Sequence, residues 1–234
     1  PMENTDSKIK RQLRNKRDLF AATNKGALGS ILYLVNPKEN LRFLTRIPIN
    51  KSSKILDVGC GRGEMLYSLR EVGFINTLGI DPFIPTPYSY PNGLHVEKKD
   101  LQSIGDSWNL ITFLHAFEHI YNQQETMEQI SKILEPMGTC VISIPIVSSH
   151  SWRTYRENWI QLDAPRHFFI HSLTSINLLA SHFGLEIYKT VFNSTEQQFW
   201  GSVQYGSDIP LFDQHSYAIN KEKSAFSKSD ISRY

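Results

Sequence analysis

Three glycines at alternate positions, Gly59, Gly61 and Gly63, stand in the stretch "ILDVGCGRGEML", two residues after Asp57. Glycine tolerates positive φ and lets a ligand touch the backbone. A helix start presents free N–H groups to anionic or electron-rich atoms. The stretch therefore predicts a buried strand, a binding loop over 59–63 and a helix, with a ligand at the strand's carboxyl end. A tight turn without a ligand is the plainer alternative. A dinucleotide fingerprint wants Gly or Ala where this chain has Glu64, and a phosphate-gripping loop wants Gly-Lys-Ser/Thr, which is absent. Asp57 would repel a pyrophosphate and suits a ligand with an amine and a positive centre. Two further groups carry titratable side chains: "LHAFEHI" with His115, Glu118 and His119, and "WIQLDAPRHFFIH" with Trp159, Asp163, Arg166, His167 and His171. A histidine can take a proton from an attacking oxygen. Arginine beside aromatic rings suits a sugar, phosphate or carboxylate.

Alternating elements would hold these residues. "KILDVG", "TLGID", "HVEKKD", "WNLITFLHAF", "TCVISIPI" and "LEIYKTVF" read as strands. "GEMLYSLREVG", "QQETMEQISKILEPMG" and "SLTSINLLASHFG" read as helices ended by Gly or a Pro-Met-Gly stop. The alternation predicts an α/β fold, a Rossmann-like and mostly parallel seven-stranded sheet covered on both faces. Three regions follow: a helical extension over 1–50, a ligand-binding domain over 51–212, and a polar tail over 213–234. Residues 146–171 form a long aromatic connection after the fifth strand, which predicts a lid over the crevice. Within the extension, residues 7–21 have helical spacing and a basic face. They predict a solvated helix packed on the domain, with a nucleic-acid or membrane arm as the sharper alternative.

Composition narrows the classes. The 234 residues carry a net charge of +2, too little on its own for a polyanionic partner. Two cysteines far apart exclude a disulfide framework. No apolar run is long enough to span a bilayer. These observations predict a cytoplasmic protein, with neither a membrane nor a nucleic acid as partner.

Taken in order, the motifs resemble the class I S-adenosylmethionine-dependent methyltransferases, over residues 54–192. "LDVGCGRG" is similar to their first motif, "GIDP" to their second, and "KKDL" to the segment flanking adenine. "LEPMGTCVISIP" is similar to their fifth-strand signature. "APRHFFIHSLTSINLLASHFGLEI" resembles a subgroup linked to methylation of saccharides and other small molecules. The resemblance implies S-adenosylmethionine as cofactor and S-adenosylhomocysteine as product. Asp57, Gly59, Cys60, Gly61 and Gly63 would form the cofactor loop. Asp81 would hold the ribose diol with its two oxygens, beside Pro82 and Phe83, the latter packed on adenine. Asp100 would accept from the adenine amine, with Leu101 adjoining it and His115 lining the crevice. His167 and Arg166 would be catalytic, His167 as the base, with His119 and His115 as further catalytic candidates. Arg166, Trp152, Trp159 and Asp163 would contact a small-molecule acceptor. Some quinone-type O-methyltransferases place an acid three residues before "EH" as a proposed metal site. Here that position is His115, and no metal is expected.

The expected activity is methyl transfer to an oxygen of a small molecule such as a saccharide. An RNA or protein methyltransferase is the alternative. An NAD-dependent dehydrogenase and a non-catalytic cofactor-binding domain rank below it.

Overall fold

The computed structural model describes residues 7–211, 213 and 220. These divide into two compact units. The first runs to Phe117 and takes in Gln123–Ser143; the second consists of Glu118–Asn122 and the residues from Ile144 onward. The chain therefore passes into the second unit for five residues before returning to the first.

The first unit begins with a helical hairpin, α1 (Lys8–Thr23) and α2 (Ala27–Val35). The Ser7 hydroxyl accepts the Lys10 N–H to open α1, and Asn24 closes it in the left-handed conformation. A Cβ on Gly29 would lie 2.3 Å from the Lys16 carbonyl oxygen, so α2 meets α1 backbone to backbone there. Arg11 of α1 makes a two-pronged pair with Glu71, at 2.6 and 2.7 Å. Pro37 separates α2 from a 3₁₀ segment, Glu39–Arg46, which buries Leu41 and Leu44.

Among the described residues the sheet has six strands: β1 (Ile55–Val58), β2 (Thr77–Ile80), β3 (Tyr88–Ser89), β4 (His95–Glu97), β5 (Trp108–Leu114) and β6 (Leu134–Ser143). Their order is β3-β4-β2-β1-β5-β6, and only β3 runs antiparallel. All four residues of β1 are buried, as a central parallel strand requires. Two helices link the strands, α3 (Glu64–Glu71) and α4 (Gln123–Ile133). "EPMG", expected as a helix stop, forms an irregularity inside β6: Trp108 pairs with Leu134, whereas Leu110 pairs with Thr139.

The sheet differs from the seven strands expected. "LEIYKTVF" alternates as a strand should, yet it forms none, and Tyr188 and Phe192 are exposed. Alternation marks a segment that fits a pleated surface; a ladder also needs a neighbouring edge. In the opposite direction, the two-residue β3 is too short to show any periodicity.

The second unit contains α5 (His150–Tyr155), α6 (Leu173–His182) and α7 (Gln197–Gly206). A reciprocal capping box between Ser172 and Ser175 starts α6. The sequence pattern predicts no element over 197–206. There α7 buries Trp200 together with polar Gln198, Ser202 and Gln204, so its inner face lacks an apolar stripe. Ile160 N–H donates to Ser202 Oγ at 3.0 Å, and a Cβ on Gly201 would sit 2.4 Å from Ile160 Cδ1. Residues 146–171, expected as a lid, belong to this unit. The expected tail over 213–234 lies outside the described residues except at 213 and 220.

Candidate functional site

The three loop glycines serve different ends. A Cβ on Gly59 would lie 2.5 Å from Ala116 Cβ, and one on Gly63 would lie 2.7 Å from Val96 Cγ2. Packing demands glycine at both. Gly61, at φ +56°, has nothing within 4 Å of its Cβ position and borders open space. Asp81 braces this loop. Its Oδ2 accepts the Gly61 N–H at 2.9 Å, and its Oδ1 accepts the Phe83 N–H at 2.8 Å. Each carboxylate oxygen keeps a further acceptor site for a ligand hydroxyl. The Phe83 ring is 86% exposed beside it, and Pro82 is half-buried.

Asp57 is buried, and its Oδ1 accepts the Thr112 hydroxyl at 2.6 Å. Burial pushes its carboxyl up to about 7, the Thr112 hydrogen bond opposes that rise, and the charge of Asp81 adds to it. A cation beside it would favour the ionised form. Thr112 is a site residue that sequence reasoning missed. Its signal is a hydroxyl inside the apolar run "NLITFL", in register with Asp57 across the parallel pair. Burial also raises the Cys60 thiol, with the Asp57 and Asp81 charges adding to the effect. Cys60 is therefore a packing residue of the loop rather than a nucleophile.

Other expected cofactor residues are less alike. Asp100 is exposed, and its side chain caps nothing. Leu101 is buried. His115 is exposed in the left-handed region at φ 56°, just past β5, and its N–H donates to the Ser143 carbonyl at 3.0 Å.

The second unit assembles a histidine pair. His119 and His167 stand edge to face with ring centroids 4.7 Å apart. His119 Nδ1 lies 3.0 Å from the Arg166 carbonyl oxygen, and His167 Nδ1 lies 2.8 Å from the Gln161 carbonyl oxygen. A carbonyl only accepts, so each Nδ1 carries a proton, and in the neutral ring the lone pair then lies on Nε2. Asp163 Oδ2 lies 3.6 Å from His167 Nε2, close enough to stabilise a protonated ring. Asp163 also pairs with Arg166, through Oδ1 to Nε at 3.2 Å and through Oδ2 to a terminal guanidinium nitrogen. Buried Glu118 completes the group: one ligand atom each from Glu118, His119 and His167 falls within 4.8 Å of the others. Two imidazoles and a carboxylate make a donor set that a divalent ion can use. The Phe168 N–H donates to the Glu118 carbonyl at 2.9 Å, tying the two segments together.

The expected acceptor contacts divide. Trp159 is 2% exposed and stacks edge-on with Trp152 at 6.0 Å, placing it in the interior of the second unit. Arg166 keeps its side chain largely in solvent. His171 Nδ1 lies 3.0 Å from Ser175 Oγ, and burial lowers its proton affinity.

A family model described as a methyltransferase domain matches residues 34–190. The chain belongs to the methyltransferase-domain family. A curated relative, the ubiquinone biosynthesis O-methyltransferase of Rickettsia bellii, is 29% identical over 133 residues, covering 51% of this chain and 55% of that protein. The chain thus spans about half the length of the curated relatives it matches. Among solved structures, the calicheamicin-biosynthesis methyltransferase CalO1 in its SAH-bound form aligns with a TM-score of 0.52 at 13% identity, over 82% of this chain and 71% of that one. The magnesium protoporphyrin IX methyltransferase of Synechocystis PCC 6803, also with SAH, gives 0.50 at 14% identity, over 82% and 84%. Both likenesses establish the fold. No helix among the described residues is long and apolar enough to cross a membrane.

Proposed function

We propose that this protein is an S-adenosylmethionine-dependent methyltransferase that methylates an oxygen of a small molecule. The observation that carries the proposal is the open backbone at Gly61 braced by Asp81, a cradle with room for a ligand and a carboxylate for its diol. Asp57 and the loop 59–63 hold the cofactor's charged end, Asp81 its ribose, and Phe83 with Asp100 and Leu101 its base. When bound, the cofactor supplies a methyl group already activated on a sulfonium.

The chain's own task is then to bind and orient the acceptor and to take its proton. Positioning of this kind contributes about 7–11 kcal/mol in favourable cases. His167 takes the proton at Nε2, with Asp163 as counter-ion and the Gln161 carbonyl fixing the ring. His119 is held in the same tautomer and is the second candidate. Arg166 and Trp152 contact the acceptor. Imidazole is a better match for a phenolic hydroxyl, with a pKa of about 10, than for a much less acidic alcohol. A phenol therefore stands ahead of a saccharide among the acceptors. The O-methyltransferase name of the Rickettsia relative supports oxygen as the target.

The test is a labelled S-adenosylmethionine screen over phenols, saccharides and RNA, with S-adenosylhomocysteine binding measured by calorimetry. Binding together with label transfer to a phenol or sugar oxygen is the expected result. No binding of S-adenosylhomocysteine would reject the cofactor assignment. Binding with transfer only to RNA or protein would reject the acceptor class.

A further inference from the structure

The N-terminal hairpin has its apolar stripe on the outside. In α2, Leu28, Ile31, Leu34 and Val35 recur at helical spacing and are exposed, Leu34 at 83% and Val35 at 81%. The opposite side of the same helix carries Gly29, the point of contact with α1. A soluble helix ordinarily turns its apolar stripe inward; in α2 only Gly29 is buried. On α1, Ile9 and Leu13 continue the helical row that runs through Lys16 and Phe20, where Gly29 approaches, and both are exposed.

Charge is segregated to the same hairpin. Residues 7–38 contain eight Lys or Arg and a single Asp, whereas the whole chain carries only +2. That Asp, Asp18, is buried and paired with Arg17. A second copy of this chain would meet the patch with the same charge, which opposes self-association through it. Nucleic acid would match the charge but offers nothing for four aliphatic side chains. An anionic lipid surface matches both features, since apolar side chains enter the acyl boundary while Lys and Arg meet headgroups.

We propose that the α1–α2 hairpin docks the protein on an anionic membrane surface. Leu28, Ile31, Leu34 and Val35 provide the apolar contact, and the exposed lysines Lys8, Lys10, Lys16 and Lys25 provide the electrostatic one; Arg11 and Arg17 are already paired with Glu71 and Asp18. The expectation of no membrane partner rested on the absence of a spanning segment, and surface docking requires none. The inference is independent of the methyl acceptor.

The experiment is co-sedimentation of the full chain with vesicles of phosphatidylcholine alone or mixed with phosphatidylglycerol, at low and moderate salt. Binding to the mixed vesicles only, weakened by salt, is expected. Leu34→Asp combined with Val35→Asp should lower the partition at least about tenfold, and so should Lys8→Glu combined with Lys16→Glu. Both pairs should keep the wild-type melting temperature, because the substituted side chains face solvent. Equal partition of wild type and the Leu34/Val35 pair would overturn the proposal. So would retention of an RNA oligonucleotide without vesicle binding, or a dimer in sedimentation equilibrium that the same pair dissociates while vesicles bind neither form.

Discussion

The glycine loop and the histidine pair are built in opposite ways. The loop draws on neighbours in sequence: Asp57 through Gly63 run from the end of β1 to the start of α3, and Asp81, just past β2, reaches back to Gly61. The pair joins groups 47 residues apart, through a hydrogen bond from the ring of His119 to the backbone of Arg166. One is a local backbone device with a single side-chain brace. The other depends on two backbone carbonyls to orient two rings. A loop of the first kind is sensitive to the size of its residues, and a cluster of the second kind to the identity of its proton acceptors.

The sharpest way to break the comparison is at Gly61. Gly61→Val is expected to eliminate measurable S-adenosylhomocysteine binding by calorimetry, because a branched side chain would fill the open space at a positive φ. Gly59→Ala should instead lower the melting temperature, since its Cβ meets Ala116. Normal binding by the Gly61 variant would reduce the loop to a turn.

On the other side, His167→Ala should lower kcat by about 10²- to 10⁴-fold while leaving cofactor affinity unchanged. Arg166→Ala should raise the acceptor KM with little effect on kcat. If both variants turn over at the wild-type rate, the pair has no part in proton transfer.

Between these extremes, Asp81→Ala removes a charged hydrogen-bond acceptor worth roughly 1.5–3 kcal/mol. That corresponds to about 10- to 150-fold in S-adenosylhomocysteine affinity. Part of the loss would come through the Gly61 N–H, which Asp81 now accepts. Equal affinities in wild type and variant would detach Asp81 from the site.

Asp57 offers a pH test in the cofactor-free protein. Its folded-state pKa is raised to about 7, so the folded state holds a proton that the unfolded chain releases near 4. Stability from this group is therefore fully present below pH 4 and is lost as pH rises to about 7, by roughly 2–4 kcal/mol. Asp57→Asn should flatten that slope and be the more stable protein at pH 8 in denaturant melts. A slope unchanged by the substitution would contradict the burial argument.

The smallest expected effect concerns the ion that Glu118, His119 and His167 could hold. If His167 acts as a base with the Asp163 carboxylate 3.6 Å from its Nε2, no metal is needed and turnover should survive a strong chelator. Activity lost to the chelator and restored by a divalent ion would reassign the cluster as a metal centre.

The same contrast governs what could be read from the sequence. "LDVGCGRG" carries its geometry in its own spacing: the strand and the helix form on either side of it as expected, and of its three glycines Gly61 alone has open space at its Cβ position. The buried runs of β1 and β5 were legible because central parallel strands are apolar on both faces, whereas β6, at the sheet edge, buries only Thr139 and was legible from its apolar composition. "LEIYKTVF" shows the limit, as its pattern is local and its ladder partner is not. The individual histidines were visible, whereas the pairing of His119 with His167 depends on how residues 118–122 meet residues 161–168. Helix α7 escaped because it buries glutamines and a serine where an apolar stripe would have marked it.

The five residues Glu118–Asn122 have a consequence for modularity. They belong with residues from Ile144 onward, yet they are spliced between β5 and α4 of the other unit. No single cut in the gene yields the second unit whole, because a fragment starting at 144 lacks Glu118 and His119. Recombination that exchanged only the later segment would separate His119 from the Arg166 carbonyl that sets its tautomer. The second unit is therefore a discontinuous piece of the chain, and an expressed fragment of it must carry both stretches to contain the His119–Arg166 contact.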